Sequence, residues 1–166
     1  MRRTLLLVLL TLVACAQQTR IVPPDGAPTA ELNDWIDTDE DGQNPRVFAA
    51  LSINGTQIPN AVQNVQRVGF GAGAAAFPLM VVRPIEAKAT TVKVIGRHLV
   101  NAPIGEIFRR AKGKFQEIEG TITFTPKPDV VYRVAGILSA QKSEIWIEES
   151  ESRVRVSESI TKSGDA

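Results

Sequence analysis

Residues 118–136 place the strictest condition on how this chain can fold. Ile118, Gly120, Ile122 and Phe124 alternate with Glu119, Thr121, Thr123 and Thr125. After Pro126-Lys127-Pro128-Asp129, Val130, Tyr132, Val134 and Gly136 alternate with Val131, Arg133 and Ala135. Successive side chains leave a strand on opposite faces, so a period of two builds one apolar face and one polar face, which a helix does not accommodate. The proline-rich break between the runs supplies a turn. Two half-buried strands joined by a turn are the expectation.

The pattern extends both ways. Ile145 and Ile147 flank Trp146, and Val154 and Val156 flank Arg155. Upstream, the apolar run 47–53 ends at Asn54-Gly55 and is followed by Thr56-Gln57-Ile58. Asn-Gly tolerates the positive φ of a two-residue hairpin turn, and Pro59 limits how the second strand continues. Val62, Val65 and Val68 are partly in phase with a strand. Residues 79–82 and 90–95 are β-rich, joined through Arg83-Pro84 and a short polar stretch. Residues 101–114 read either as one short helix or as an irregular crossover. Turn signals recur every eight to twelve residues or so, with almost no helical period, which predicts a mostly β fold. The expected architecture is an antiparallel β-sandwich, immunoglobulin-like, with about seven strands across residues 46–158. Residues 159–166 read as a flexible tail.

The N-terminus carries a different signal. Arg2 and Arg3 precede residues 5–13, which are apolar apart from Thr11, and Ala14 leads into Cys15, the only cysteine. The layout is that of a secretory signal, too short to span a bilayer as a mature helix. Leu12-Val13-Ala14-Cys15 resembles the lipobox of bacterial lipoproteins. That resemblance implies removal of residues 1–14, a diacylglycerol on the Cys15 thiol and acylation of the new amino group. Two or three acyl chains hold a protein stably on a membrane where one does not. Alanine rather than aspartate at position 16 implies sorting to the outer membrane, with either face of the envelope open to the body. The body also looks like small Gram-negative lipoproteins of unknown function, through Tyr132-x-Val134-x-Gly136-x-Leu138 and Ile145-Trp146-Ile147-Glu148-Glu149. That likeness implies no activity. A lipidated Cys15 leaves no thiol for a disulfide or a cysteine metal site, so packing alone must hold the domain.

Residues 15–45 read as the lipidated cysteine and a tether, with Pro23-Pro24-Asp25-Gly26 and Pro28 favouring extended chain. Thr29 is placed to cap a short helix over residues 31–36. Asp37-Thr38-Asp39-Glu40-Asp41-Gly42 then resembles the first half of an EF-hand-like calcium loop. Asp37, Asp39 and Asp41 occupy positions one, three and five, and Gly42 occupies the turn. The departures are Pro45 at position nine and Phe48 where the bidentate glutamate belongs. The stretch is either a weak calcium site or a solvated acidic turn.

Residues 46–114 hold ten bases against two acids, Glu86 and Glu106, between two acidic flanks. The blocks either balance one another in the fold or leave a basic face for an anionic partner. In the second case Arg83, Arg97, Arg109 and Arg110, with Phe70 and Phe77 of the glycine-rich loop, are the candidate contacts for an envelope protein or polysaccharide. Gly69, Gly71 and Ala74 match the spacing of a dinucleotide-binding turn, but Pro78 stops the helix that motif needs. What remains is a hairpin loop or an apolar contact loop.

Catalytic machinery is sparse. His98 is the only histidine, and no Gly-x-Ser-x-Gly elbow presents a serine to it. Glu148, Glu149 and Glu151 beside Trp146 are neighbours on one hairpin rather than carboxylates facing across a cleft, and read as a solvated turn. Nothing interleaves bases with aromatics for nucleic acid. The sequence therefore points to a non-enzymatic, cofactor-free envelope module that binds or supports another component.

Overall fold

The computed structural model describes residues 21–38, 45–68, 80–99, 106–107, 110–111 and 115–164. Its strands are β1 (Thr29–Asn33), β2 (Trp35–Thr38), β3 (Pro45–Ile53), β4 (Thr56–Gln57), β5 (Val82–Glu86), β6 (Thr90–His98), β7 (Glu117–Phe124), β8 (Val131–Ile137), β9 (Lys142–Glu149) and β10 (Ile160–Ser163). One helix, α1 (Ala61–Val68), accompanies them among the described residues. The first sheet runs β10-β9-β8-β1-β5, and the second β2-β3-β6-β7 with β4 paired to β3. The fold is mostly β, as the alternation predicts. Its pairing is antiparallel except between β1 and β8, which run parallel.

The alternating residues build the core. Leu32, Ile85, Tyr132, Val134, Ile145 and Ile147 from the first sheet meet Phe48, Ala50, Val92, Val94, Ile118, Ile122 and Phe124 from the second. A smaller cluster lies on the other side of the second sheet, where Val47, Ala49 and Ile95 pack with Ala61 and Val62 of α1. Strand β3 is therefore buried on both faces, which explains why residues 47–51 form a continuous apolar run instead of alternating. Asn54 and Gly55 take φ of 48° and 80° and close β3 onto β4, the hairpin expected of an Asn-Gly pair.

The Phe48 ring is seated between two glycines. A Cβ at Gly96, its cross-strand partner, would lie 2.8 Å from Phe48 Cδ1. A Cβ at Gly136 would lie 2.5 Å from Phe48 Cε1 and would also collide with the Glu144 carbonyl oxygen. The two glycines make room for the Phe48 ring between the sheets.

Several elements differ from the sequence expectation. Residues 29–38 are not tether and helix but β1 and β2, with Ala30 and Leu32 facing the core. The residues that make Leu32 a strand residue come from far along the chain, since β1 lies between β5 and β8. Residues 61–68 are helical rather than extended. Asn60 caps this helix, accepting from the Gln63 N–H at 3.1 Å through Oδ1. Residues 83–84 belong to β5 instead of linking two strands, and Pro84 is tolerated because β5 is an edge strand. The expected tail contributes β10, whose Ile160 closes onto Gly120 of β7.

Asp34, the single residue between β1 and β2, is where the chain leaves one sheet for the other. It is wholly buried. Its Oδ1 accepts from Arg83 Nη1 at 2.8 Å and the Ala50 N–H at 3.0 Å, and its Oδ2 accepts from the Ala61 N–H at 2.7 Å. Arg83 Nη2 donates to the Pro59 carbonyl at 3.2 Å. One carboxylate thus ties β3, the start of α1 and β5 to the crossing point.

Two stability measurements follow. Gly136→Ala should destabilise by about 1–3 kcal/mol through overpacking against Phe48 and the Glu144 carbonyl; an unchanged urea midpoint would mean that the ring seat is looser than described. Asp34→Ala should cost about 3–5 kcal/mol by leaving Arg83 buried without its counter-charge. Adding Arg83→Met should recover part of that loss, and purely additive effects in the double-mutant cycle would contradict the coupling.

Candidate functional site

At the β10 edge of the first sheet, an open cleft of about 310 Å³ is lined by Arg110, Phe115, Ser139, Ser143, Lys162 and Ser163, among others. Strand pairing places these groups. β10 runs antiparallel to β9, with Lys162 opposite Ser143, while Phe115 and Gln116 lead into β7 beside the end of β6.

Arg97 of β6 donates from Nη2 to Glu106 Oε2 at 2.8 Å, and Arg110 donates from Nε to Glu106 Oε1 at 2.9 Å. Both guanidinium groups also lie 3.5 Å from Glu117 Oε2. They stack on Phe115, with Arg110 Cζ 4.1 Å and Arg97 Cζ 5.2 Å from the ring centroid. Lys162 Nζ donates to the Glu117 carbonyl oxygen at 3.3 Å. Three cations against two carboxylates leave this cluster one positive charge in excess, on a wall that also carries hydroxyl groups. Such a wall suits an anionic group with hydrogen-bonding oxygens, since a charged partner strengthens each hydrogen bond it accepts.

His98 stands behind the cleft rather than in it. Its Nδ1 accepts the Gln116 N–H at 3.0 Å, which in the neutral ring puts the proton on Nε2. Its ring packs edge-on to Phe115 with centroids 6.3 Å apart. The histidine orients the segment that carries Phe115, in keeping with a structural role.

Next to Ser143 in β9, the Glu144 carboxyl is held down from 4.5 to about 2, first by hydrogen bonds from Ser159 and Lys142 and then by the nearby Arg155 charge. Further along β9, Glu148 is not part of a solvated turn. It is buried and accepts from Arg133 Nε at 2.8 Å and Trp146 Nε1 at 2.6 Å. Arg133 Cζ lies 4.2 Å from the Trp35 centroid, and Arg155 Cζ lies 3.7 Å from that of Trp146. The tryptophan faces are thus occupied by guanidinium groups, and both sides of Glu148 are committed to the fold. The alternation marks Trp146 and Glu148 as polar-face residues, but Arg133, the cross-strand partner of Glu148, and Arg155, stacked on Trp146, withdraw them from solvent.

Of the residues singled out from sequence, Arg110 lines the cleft, and Arg97 joins it on Glu106 and the Phe115 ring. Arg83 does not join them, being buried against Asp34 on β5, at the far edge of the first sheet. Arg109, Phe70, Phe77 and Cys15 lie outside the described residues, as do Asp39 and Asp41 of the acidic stretch. Asp37 ends up in β2 rather than after a helix, with Oδ2 3.4 Å from Arg46 Nη2. No group of three or more histidines, cysteines or acids able to hold a metal is present among the described residues. Nothing in the sequence pattern marks Phe115, Ser143 or Lys162. Lys162 lay in an apparent tail, and only the pairing of β10 with β9 brings it to the cleft. Compared with known families, curated proteins and solved structures, the chain matches none.

The lowered Glu144 carboxyl contributes stability above its ordinary range, and this is lost as pH falls from about 4.5 to about 2. Glu144→Gln should therefore be less stable than the parent at pH 7, by about 1 kcal/mol once solvent screening is allowed for. At pH 2 the difference should largely close, as chemical denaturation at the two pH values would show.

Proposed function

We propose that this chain is a bacterial envelope lipoprotein, anchored in the outer membrane through acylated Cys15, whose body is a non-enzymatic binding module. The observation that carries the binding role is the cleft at the β10 edge, with Arg110, Lys162 and serine hydroxyls gathered on one wall. The occupant it favours is an anionic group borne by a neighbouring envelope component, with an acidic polysaccharide suited to the open, hydroxyl-rich wall. The anchor rests on Arg2-Arg3, the apolar stretch and Leu12-Val13-Ala14-Cys15.

An immunoglobulin-like architecture for the body draws support from Tyr132. Near the start of β8, its hydroxyl accepts the Lys127 N–H at 2.9 Å, a contact of the tyrosine-corner kind. The ring packs edge-on to Phe124 at 5.4 Å. Both contacts fasten the turn between β7 and β8.

Two variants separate the parts of the proposal. Cys15→Ser should abolish incorporation of labelled palmitate and move the protein from the membrane to the soluble fraction; persistent labelling would overturn the anchor. Lys162→Glu should leave labelling intact and reduce retention on an immobilised acidic polysaccharide severalfold at low salt, with the gap narrowing as salt rises. Equal retention of both proteins would overturn the cleft's role.

A further inference from the structure

Ile21, the first described residue, is already packed on the body, touching the core cluster that lies between the sheets. It helps line a second cleft of about 220 Å³ at the opposite edge of the first sheet, with Ile58, Pro59, Val81, Val82 and Pro84. The one charged lining residue is Arg83, and its guanidinium is taken by Asp34 and the Pro59 carbonyl. Around this cleft, Val22, Val82 and Met80 are 73%, 54% and 46% exposed. An apolar cleft open to solvent, whose one charge is matched within the fold, is not explained by the fold.

We infer that this β5 edge lies against the lipid surface, so that the first sheet stands on the membrane with its β10 edge uppermost. The inference rests on the acyl anchor at Cys15 proposed above. Between Cys15 and Ile21 the chain has only six residue steps, which span at most about 20 Å fully extended. The face around Ile21 is thus confined close to the headgroups, and the apolar side chains are in reach of them. Pro84 removes a backbone donor from this edge, which disfavours strand addition by a second copy as the alternative occupant. The sheet order sets the other end of the arrangement. β5 and β10 are opposite edges, about 20 Å apart at ordinary strand spacing. The Arg110–Lys162 cleft is thereby held off the lipid and turned toward other envelope components.

The acylated full-length protein carries no other cysteine, so a nitroxide can be placed at Val82→Cys or, on the opposite edge, at Val154→Cys. In phospholipid vesicles, the ratio of collisions with oxygen to collisions with a water-soluble nickel chelate should be severalfold higher at position 82 than at position 154. Met80→Cys gives a second reading on the β5 side should Val82→Cys fold poorly, and should match position 82. Equal, water-like ratios on both edges, with the protein still bound to vesicles, would overturn the orientation while leaving the anchor standing. If the parent protein takes up no acyl label and leaves the vesicles, the anchor reading fails and the orientation falls with it.

Discussion

A carboxylate removed entirely from water has only its immediate neighbours to offset the loss of hydration. Asp34 finds three donors, and each belongs to a different part of the chain: Ala50 in β3, Ala61 at the start of α1, and Arg83 in β5. Replacing such a pair by apolar groups often leaves stability unchanged or higher, so its presence is better understood as a registration device than as a source of net stability. The donors converge only when β1 ends at Asn33 and β2 begins at Trp35. The Ala50 N–H also sits at the irregularity where the β3–β6 register shifts between Ala50 and Ser52. The crossing point between sheets, the irregularity and the helix start are therefore determined together.

The charged residues repeat this theme on the outside. Among the described residues, several bases of residues 46–114 meet acids of the flanking blocks. Arg46 meets Asp37, Arg83 meets Asp34, Lys93 meets Glu119, and Arg97 and Arg110 share Glu117. For these residues the block pattern reflects internal complementarity, and at the β10 edge the described cluster keeps one positive charge in excess. Apart from the buried Arg83–Asp34 pair, these pairs are wholly or partly exposed and add little stability each. Arg133 is different, because it joins Glu148 and Trp35 out of solvent, where a charge left unmatched would be costly.

What could be read from the sequence was whatever local chain determines. The alternation of residues 118–136 marked β7 and β8, and Asn54-Gly55 marked a hairpin, because side-chain period and turn conformation are set by near neighbours. The misread segments take their structure from distant ones. Residues 29–36 favour a capped helix locally, but the burial of Leu32 between β5 and β8 outweighs that propensity. Residues 61–68 carry valines at a spacing compatible with helix or irregular strand, and the Asp34 carboxylate at the Ala61 N–H settles the choice. The same applies to the cleft. Arg97 and Arg110 attracted notice as bases in a basic block, whereas Lys162 became meaningful only with the pairing of β10 against β9.

The parallel pairing of β1 with β8 has a consequence for the order in which the molecule assembles. Leu32 lies opposite Tyr132, so β1 has no β8 to pair with until most of the chain has been delivered. A chain that arrives N-terminus first can form the β6–β7 hairpin early, and later β8–β9, from contacts close in sequence. Strand β1 can meet β5 once residues 82–86 are delivered, but its other edge stays open until β8 arrives, so joining β5–β1 to β8–β9 is a late step. Non-local closure of this kind slows folding and lengthens the time during which a nascent chain is vulnerable to aggregation. A strand made early is thus among the last to be paired along both its edges.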